Sequence, residues 1–128
     1  MKAARVCIID DDIVYQFTAK KYLEKIINVN DILIFSNGKD ACEYLSEIEN
    51  PEMVPDYIFL DIRMPIMDGW NFIECFRKVN SEITKDIIIY MVSSSPEPHD
   101  IERAKGIIEI QDYIVKPLTR ELLEQKIA

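Results

Sequence analysis

The chain has 128 residues, 48% of them hydrophobic and 30% charged, which suits one domain with one core and is too apolar for a disordered tail. Fifteen Lys and Arg against 23 Asp and Glu leave a formal net charge of −8. So acidic a surface repels phosphate backbones and anionic lipid, so neither nucleic-acid nor membrane binding is expected; cations or a basic partner fit better.

The first apolar run, Arg5–Asp10, reads as a strand and ends in three consecutive acids, Asp10, Asp11 and Asp12. Tyr15, Ala19, Tyr22, Leu23 and Ile26 then share one helical face, with Asp12 placed as the N-cap. A second strand is expected at Ile32–Phe35, followed by a helix carrying Ala41, Tyr44, Leu45 and Ile48 on one side. The third strand, Tyr57–Asp61, ends on an acid, and Phe72, Ile73, Phe76 and Val79 mark the next helix. Ile87–Val92 reads as strand four and runs into Ser93, Ser94 and Ser95; a weakly amphipathic helix follows near His99–Gly106. Strand five, Tyr113–Val115, leads to Lys116 and Pro117, and a last helix runs from about Thr119 to the end.

The strands are nearly continuous apolar blocks, as strands are when both faces of a sheet are covered. Strand–helix alternation repeated along the chain implies an α/β fold with a parallel sheet and helices on both faces. Ligands of such sheets bind beyond the carboxyl ends of the strands. Cys7, Cys42 and Cys75 are odd in number and lack a CxxC pair, the usage of a reducing compartment without a disulfide framework or zinc site. The apolar run behind the N-terminus is too short for a signal peptide or a membrane span, so a cytoplasmic protein is expected.

The strand ends hold the chemistry: Asp10 and Asp11 after strand one, Asp61 after three, Ser93 after four and Lys116 after five. Carboxylates gathered at one edge repel and stay ionised only beside a compensating cation. Mg2+ (or Mn2+) is the natural hard ion; it accepts carboxylate oxygens and leaves room for a phosphate oxygen. The lysine and the serine hydroxyl add a point charge and a hydrogen bond suited to a phosphoryl group. Taken singly, each group has a plainer reading: the serines before Pro96 as a turn, Met64, Met67 and Trp70 as packing, Gly69 as a turn residue. Their joint placement at successive strand ends is what points to a site.

Four segments carry a resemblance: Ile8-Ile9-Asp10-Asp11-Asp12, Leu60-Asp61-Ile62-Arg63-Met64-Pro65-Ile66-Met67-Asp68-Gly69, Met91-Val92-Ser93-Ser94 and Asp112-Tyr113-Ile114-Val115-Lys116-Pro117. In order and spacing they resemble the receiver domain of bacterial two-component response regulators, of the CheY type, over essentially the whole chain. The resemblance implies a doubly wound, flavodoxin-like five-stranded parallel sheet of strand order 2-1-3-4-5 with five helices. It also implies a stand-alone receiver spanning residues 1–128 with no output domain, a phosphoacceptor signalling protein rather than an enzyme with a separate substrate. By that likeness Asp61 accepts a phosphoryl group from a histidine kinase or a histidine phosphotransfer protein. Asp10, Asp11, Asp61 and the backbone carbonyl of Arg63 hold Mg2+, and the backbone of Arg63 and Ser94 binds the phosphoryl group. Lys116 pairs with the phosphoryl oxygens, and Ser93 and Tyr113 switch a face made of the fourth helix, fifth strand and fifth helix, where a downstream protein binds. Ser93 lacks the methyl of the commoner threonine, and Leu118 stands where an aromatic is common. The sole histidine, His99, is not expected to be a donor.

Competing activities lack their residues. A haloacid-dehalogenase-type phosphatase needs a second acid two residues after the nucleophile, where Arg63 stands. A P-loop would need glycine at Leu33, and the three glycines, Gly38, Gly69 and Gly106, are too scattered for a dinucleotide fingerprint.

Overall fold

A computed structural model describes residues 3–127. Five strands, β1 (Ala4–Ile9), β2 (Val29–Phe35), β3 (Tyr57–Asp61), β4 (Ile88–Ser93) and β5 (Ile110–Val115), form one parallel sheet in the order β2-β1-β3-β4-β5. The central strands are apolar throughout because they serve two cores. Cys7 and Ile9 of β1, with Ile58 and Leu60 of β3, face one helical layer; Val6, Ile8 and Phe59 face the other.

The helices are α1 (Ile13–Glu24), α2 (Gly38–Glu47), α3 (Gly69–Phe76), α4 (Ser81–Thr84), α5 (Pro98–Lys105) and α6 (Arg120–Ile127). Ala41 and Leu45 of α2, Phe72 and Ile73 of α3 and Ala104 of α5 cover the first face; Ala19 and Leu23 of α1 and Leu123 and Ile127 of α6 cover the second. Among the described residues, six helices replace the expected five. The additional one, α4, is a single turn whose residues lack the apolar face used to find helices. It forms locally: the Asn80 side chain accepts from the Glu82 N–H at 3.0 Å, and the Lys85 N–H donates to the Ser81 carbonyl at 2.9 Å. The expected fourth and fifth helices are therefore α5 and α6.

Both edge strands begin three residues before their expected starts, at Val29 rather than Ile32 and at Ile110 rather than Tyr113. Asn30, Asp31, Gln111 and Asp112 interrupt the apolar runs there, which an edge strand tolerates because part of it meets solvent. The cysteine reading is corrected as well: Cys42 of α2 and Cys75 of α3 form a disulfide, and Cys7 alone is free and buried. The two helices pack side by side on one face, which brings positions 33 apart in sequence to a Cα separation of 6.4 Å, within disulfide reach. Among the described residues, no helix is long and apolar enough to cross a membrane.

The loop between β3 and α3 contains the one non-glycine residue with positive φ among the described residues, Ile66 at 69°. The Met67 N–H donates to the Pro65 carbonyl at 2.7 Å, which closes a tight three-residue turn around Ile66. A β-branched residue is strained in that region, and the Ile66 side chain recovers little by packing since the residue is 77% exposed. Ile66→Gly relieves strain worth about 1–3 kcal/mol against a chain-entropy cost of about 0.5–1 kcal/mol. The expected result is a net stability gain of about 1 kcal/mol, read as a raised urea midpoint; a lowered midpoint would contradict the strain.

Candidate metal centre

In the parallel register Ile9 of β1 lies beside Leu60 of β3, so the next residues, Asp10 and Asp61, emerge side by side. Asp10, Asp11 and Asp61 each offer a carboxylate oxygen within 4.8 Å of the others. Asp10 is 1% exposed and Asp61 8%, while Asp11 opens to solvent. Backbone donors hold the two buried acids: Asp10 Oδ1 accepts from the Asp12 N–H at 2.9 Å, and Asp61 Oδ1 from the Ile62 N–H at 2.8 Å. Asp12 itself turns away as the predicted N-cap of α1, accepting from Val14 and Tyr15 N–H groups at 3.0 and 3.2 Å. Gly69 shapes the opposite wall. Its N–H donates to the Ile62 carbonyl at 2.8 Å, and a Cβ there would collide with the Asp61 carbonyl oxygen, so α3 starts directly on the backbone of the acid.

Lys116, just after β5, places Nζ 2.8 Å from Asp10 Oδ2, with its side chain 14% exposed. One half-buried ammonium thus faces two buried carboxylates and a third at the rim. Burial, and next the charge of Asp10, push the Asp61 carboxyl up to about 6 although Lys116 opposes the rise. Burial likewise raises the Asp10 carboxyl against its bond to Lys116. The cluster carries more negative charge than its lysine balances, and all its donors are hard oxygens. That donor set fits Mg2+, with Asp10, Asp11 and Asp61 as the residues that hold it.

Ser93 ends β4 and is buried; its Oγ donates to the Ser95 carbonyl at 3.2 Å and accepts from the Ser95 N–H at 3.1 Å. Tyr113, in β5, donates its hydroxyl to the same Ser95 carbonyl at 3.3 Å. The two residues therefore meet on one acceptor, although among the described residues neither hydrogen-bonds to Asp10, Asp11 or Asp61. Ser94 is exposed immediately beyond Ser93. Arg63 sits in the loop after β3, but its guanidinium leads outward to Asp100 in the first turn of α5, with Nη2 to Oδ2 at 2.9 Å. His99 is an exposed neighbour of Asp100, its Nδ1 3.9 Å from Oδ1, far from the role of a buried base.

Two residues were missed in the sequence. Asp100 reads only as an acid near a helix start, yet its side chain is 6% exposed and faces Arg63. Tyr15 reads as one more apolar residue of the α1 stripe, yet its ring lies under Lys116, with Nζ 4.3 Å from the centroid. No local pattern marks either one, because each partner comes from a distant loop.

The profile of the response regulator receiver domain matches residues 6–128. The chain is 30% identical to a probable C4-dicarboxylate response regulator DctR of Halalkalibacterium halodurans, over 94% of this chain and 48% of the relative. It is 31% identical to protein PilG of Pseudomonas aeruginosa, over 93% of this chain and 81% of the relative. It thus spans about half the length of the DctR relatives it matches. A solved two-component response regulator from Cytophaga hutchinsonii superposes with a TM-score of 0.87 at 29% identity, covering 98% of this chain and 94% of the other. A receiver protein from Dyadobacter fermentans does so at 0.85 and 28%, covering 98% and 95%. The strand-end acids, the Mg2+-fitting cluster they form and these likenesses place the chain in the response regulator receiver domain family.

Proposed function

We propose that Asp61 is the phosphoacceptor of this receiver domain, whose phosphorylation is read by a protein bound at α5, β5 and α6. The observation that carries this reading is the approach of Asp10, Asp11 and Asp61 oxygens to within 4.8 Å, beside a lysine that only partly neutralises them. A carboxylate oxygen of Asp61 attacks the phosphorus of a partner's phosphohistidine; the phosphorus–nitrogen bond breaks and the imidazole leaves with the electron pair. Asp61 is a weak nucleophile, so the residues around it contribute by position and charge. When bound, Mg2+ neutralises the clustered carboxylates and the phosphoryl oxygens. Asp10 and Asp11 hold it together with Asp61 and the Arg63 carbonyl, and the backbone of Arg63 and Ser94 lines the phosphoryl position. Lys116 leaves Asp10 for the phosphoryl oxygens.

The same rearrangement gives Ser93 a stronger acceptor than a carbonyl, since a phosphoryl oxygen is charged. When Ser93 swings toward it, the Ser95 carbonyl loses one of three donors, and the Tyr113 hydroxyl and the Glu97 N–H remain. A shift at Ser95 is then felt in β5, the edge strand between α5 and α6. This route supports the α5–β5–α6 face as the region that changes.

Incubation with acetyl phosphate and Mg2+ should add one phosphate to the intact mass of the wild type and none to Asp61→Asn. A wild type that stays unmodified, or a variant that gains phosphate, removes the assignment. A second outcome follows from electrostatics. Because the folded carboxyl titrates near 6 rather than 3.8, the folded state keeps a proton that the unfolded chain has already lost between these values. Ionised Asp61 therefore costs stability that grows as pH rises from 4 through 6 and stays above it. In EDTA at pH 7.5, Asp61→Asn should raise Tm by several degrees, on the order of 2 kcal/mol, with the gain fading below pH 4. An unchanged Tm at pH 7.5 would mean that the acids are not in conflict. For Lys116→Ala, Mg2+ still binds, but beryllofluoride no longer alters amide exchange over residues 113–122 as it does in the wild type; equal changes in both would separate Lys116 from the switch.

A further inference from the structure

The Lys116 ammonium lies between two groups of different kind. Asp10 Oδ2 is 2.8 Å away on one side, and the Tyr15 ring is 4.3 Å away, centroid to Nζ, on the other. That distance is well inside the range in which an aromatic face attracts a cation, and burial of the lysine strengthens the attraction. Tyr15 is held in place from beneath, since its N–H belongs to the first turn of α1 and donates to the Asp12 cap at 3.2 Å. Its hydroxyl is buried and makes no hydrogen bond within the described residues. The ring face is therefore the polar contribution that Tyr15 makes to the pocket.

The consequence concerns where Lys116 can go. A four-carbon side chain with a point charge has many rotamers, and ordering it costs free energy that a rigid neighbour can cover in advance. With only Asp10 as partner, the ammonium would be drawn away from Asp61 and anchored at the buried carboxylate. The ring offers a second attraction without a fixed hydrogen-bond direction, so Nζ can move from Asp10 toward a phosphoryl group while keeping the aromatic contact. We propose that Tyr15 is a positioning residue for phosphoryl transfer, its ring face guiding the Lys116 ammonium between Asp10 and the group on Asp61.

This inference rests on the phosphoacceptor reading, and the experiment separates the two. Phosphorylation rates with acetyl phosphate and Mg2+ are followed by intact mass for the wild type, Tyr15→Phe, Tyr15→Leu, Tyr15→Met, Lys116→Ala and the double variant Tyr15→Leu/Lys116→Ala. The expected slowing for the leucine and methionine variants is about fivefold, with the phenylalanine variant restoring the rate to within about twofold of wild type. Mg2+ affinity stays within about twofold throughout the Tyr15 series, because the ring touches the lysine and not the ion's ligands. The double variant should be no slower than Lys116→Ala alone. Should Tyr15→Leu unfold, Tyr15→Met retains an unbranched apolar side chain and decides the matter. The proposal is overturned if the non-aromatic variants match the wild type, or if the leucine change slows Lys116→Ala as much as it slows the wild type. A wild type that accepts no phosphate would instead defeat the phosphoacceptor reading itself.

Discussion

Three carboxylates gathered at one end of a sheet repel one another, and this repulsion organises the rest of the site. Asp10 and Asp61 are adjacent because β1 and β3 are parallel neighbours in register, so neither can leave without breaking the ladder. Their burial removes the water that would otherwise screen them, and the protein supplies one ammonium in return. Burial first, and the uncompensated charge of Asp10 next, drive the Asp61 carboxyl upward, and the deficit makes the pocket receptive to a divalent cation. The pocket that attracts Mg2+ is therefore a consequence of strand order and register as much as of the acids.

The scaffold spends stability locally to keep this arrangement. Ile66 sits at positive φ inside a tight turn, and α3 begins so close to Asp61 that only glycine fits at position 69. Around the rim, interactions radiate toward α5 and β5 rather than inward. Arg63 reaches Asp100 in the first turn of α5, Arg103 of the same helix lies over the Trp70 ring at 4.4 Å, and Tyr113 reaches the carbonyl that Ser93 also uses. The loop after Asp61 is tied to α5 through Arg63, and the loop after β4 is tied to β5 through Tyr113. A change of charge at Asp61 has short routes to α5 and β5.

The disulfide between α2 and α3 shows the limit of counting cysteines. An odd number without close spacing reads as unpaired thiols, because spacing along the chain says nothing about helices packed side by side. The same limit hid Asp100, an unremarkable acid until the fold sets it against Arg63.

Much of the design was legible in residue order. Unbroken apolar blocks located β1, β3 and β4 closely, because a central strand must be apolar on both faces. The acids, serine and lysine at strand ends identified the chemistry, since few residue types can hold a hard cation and a phosphoryl group together. The edge strands were cut short, because one side of each meets solvent and polar residues break the run. A one-turn helix after α3 has no apolar stripe to display and went unseen. Distances were beyond reach altogether: that Lys116 rests on Asp10 and beneath it on Tyr15, and that Ser93 and Tyr113 share one carbonyl, depends on loops converging from separate strands. Local composition sets which groups stand at the ends of strands; only packing of the sheet and its helices sets which of them touch.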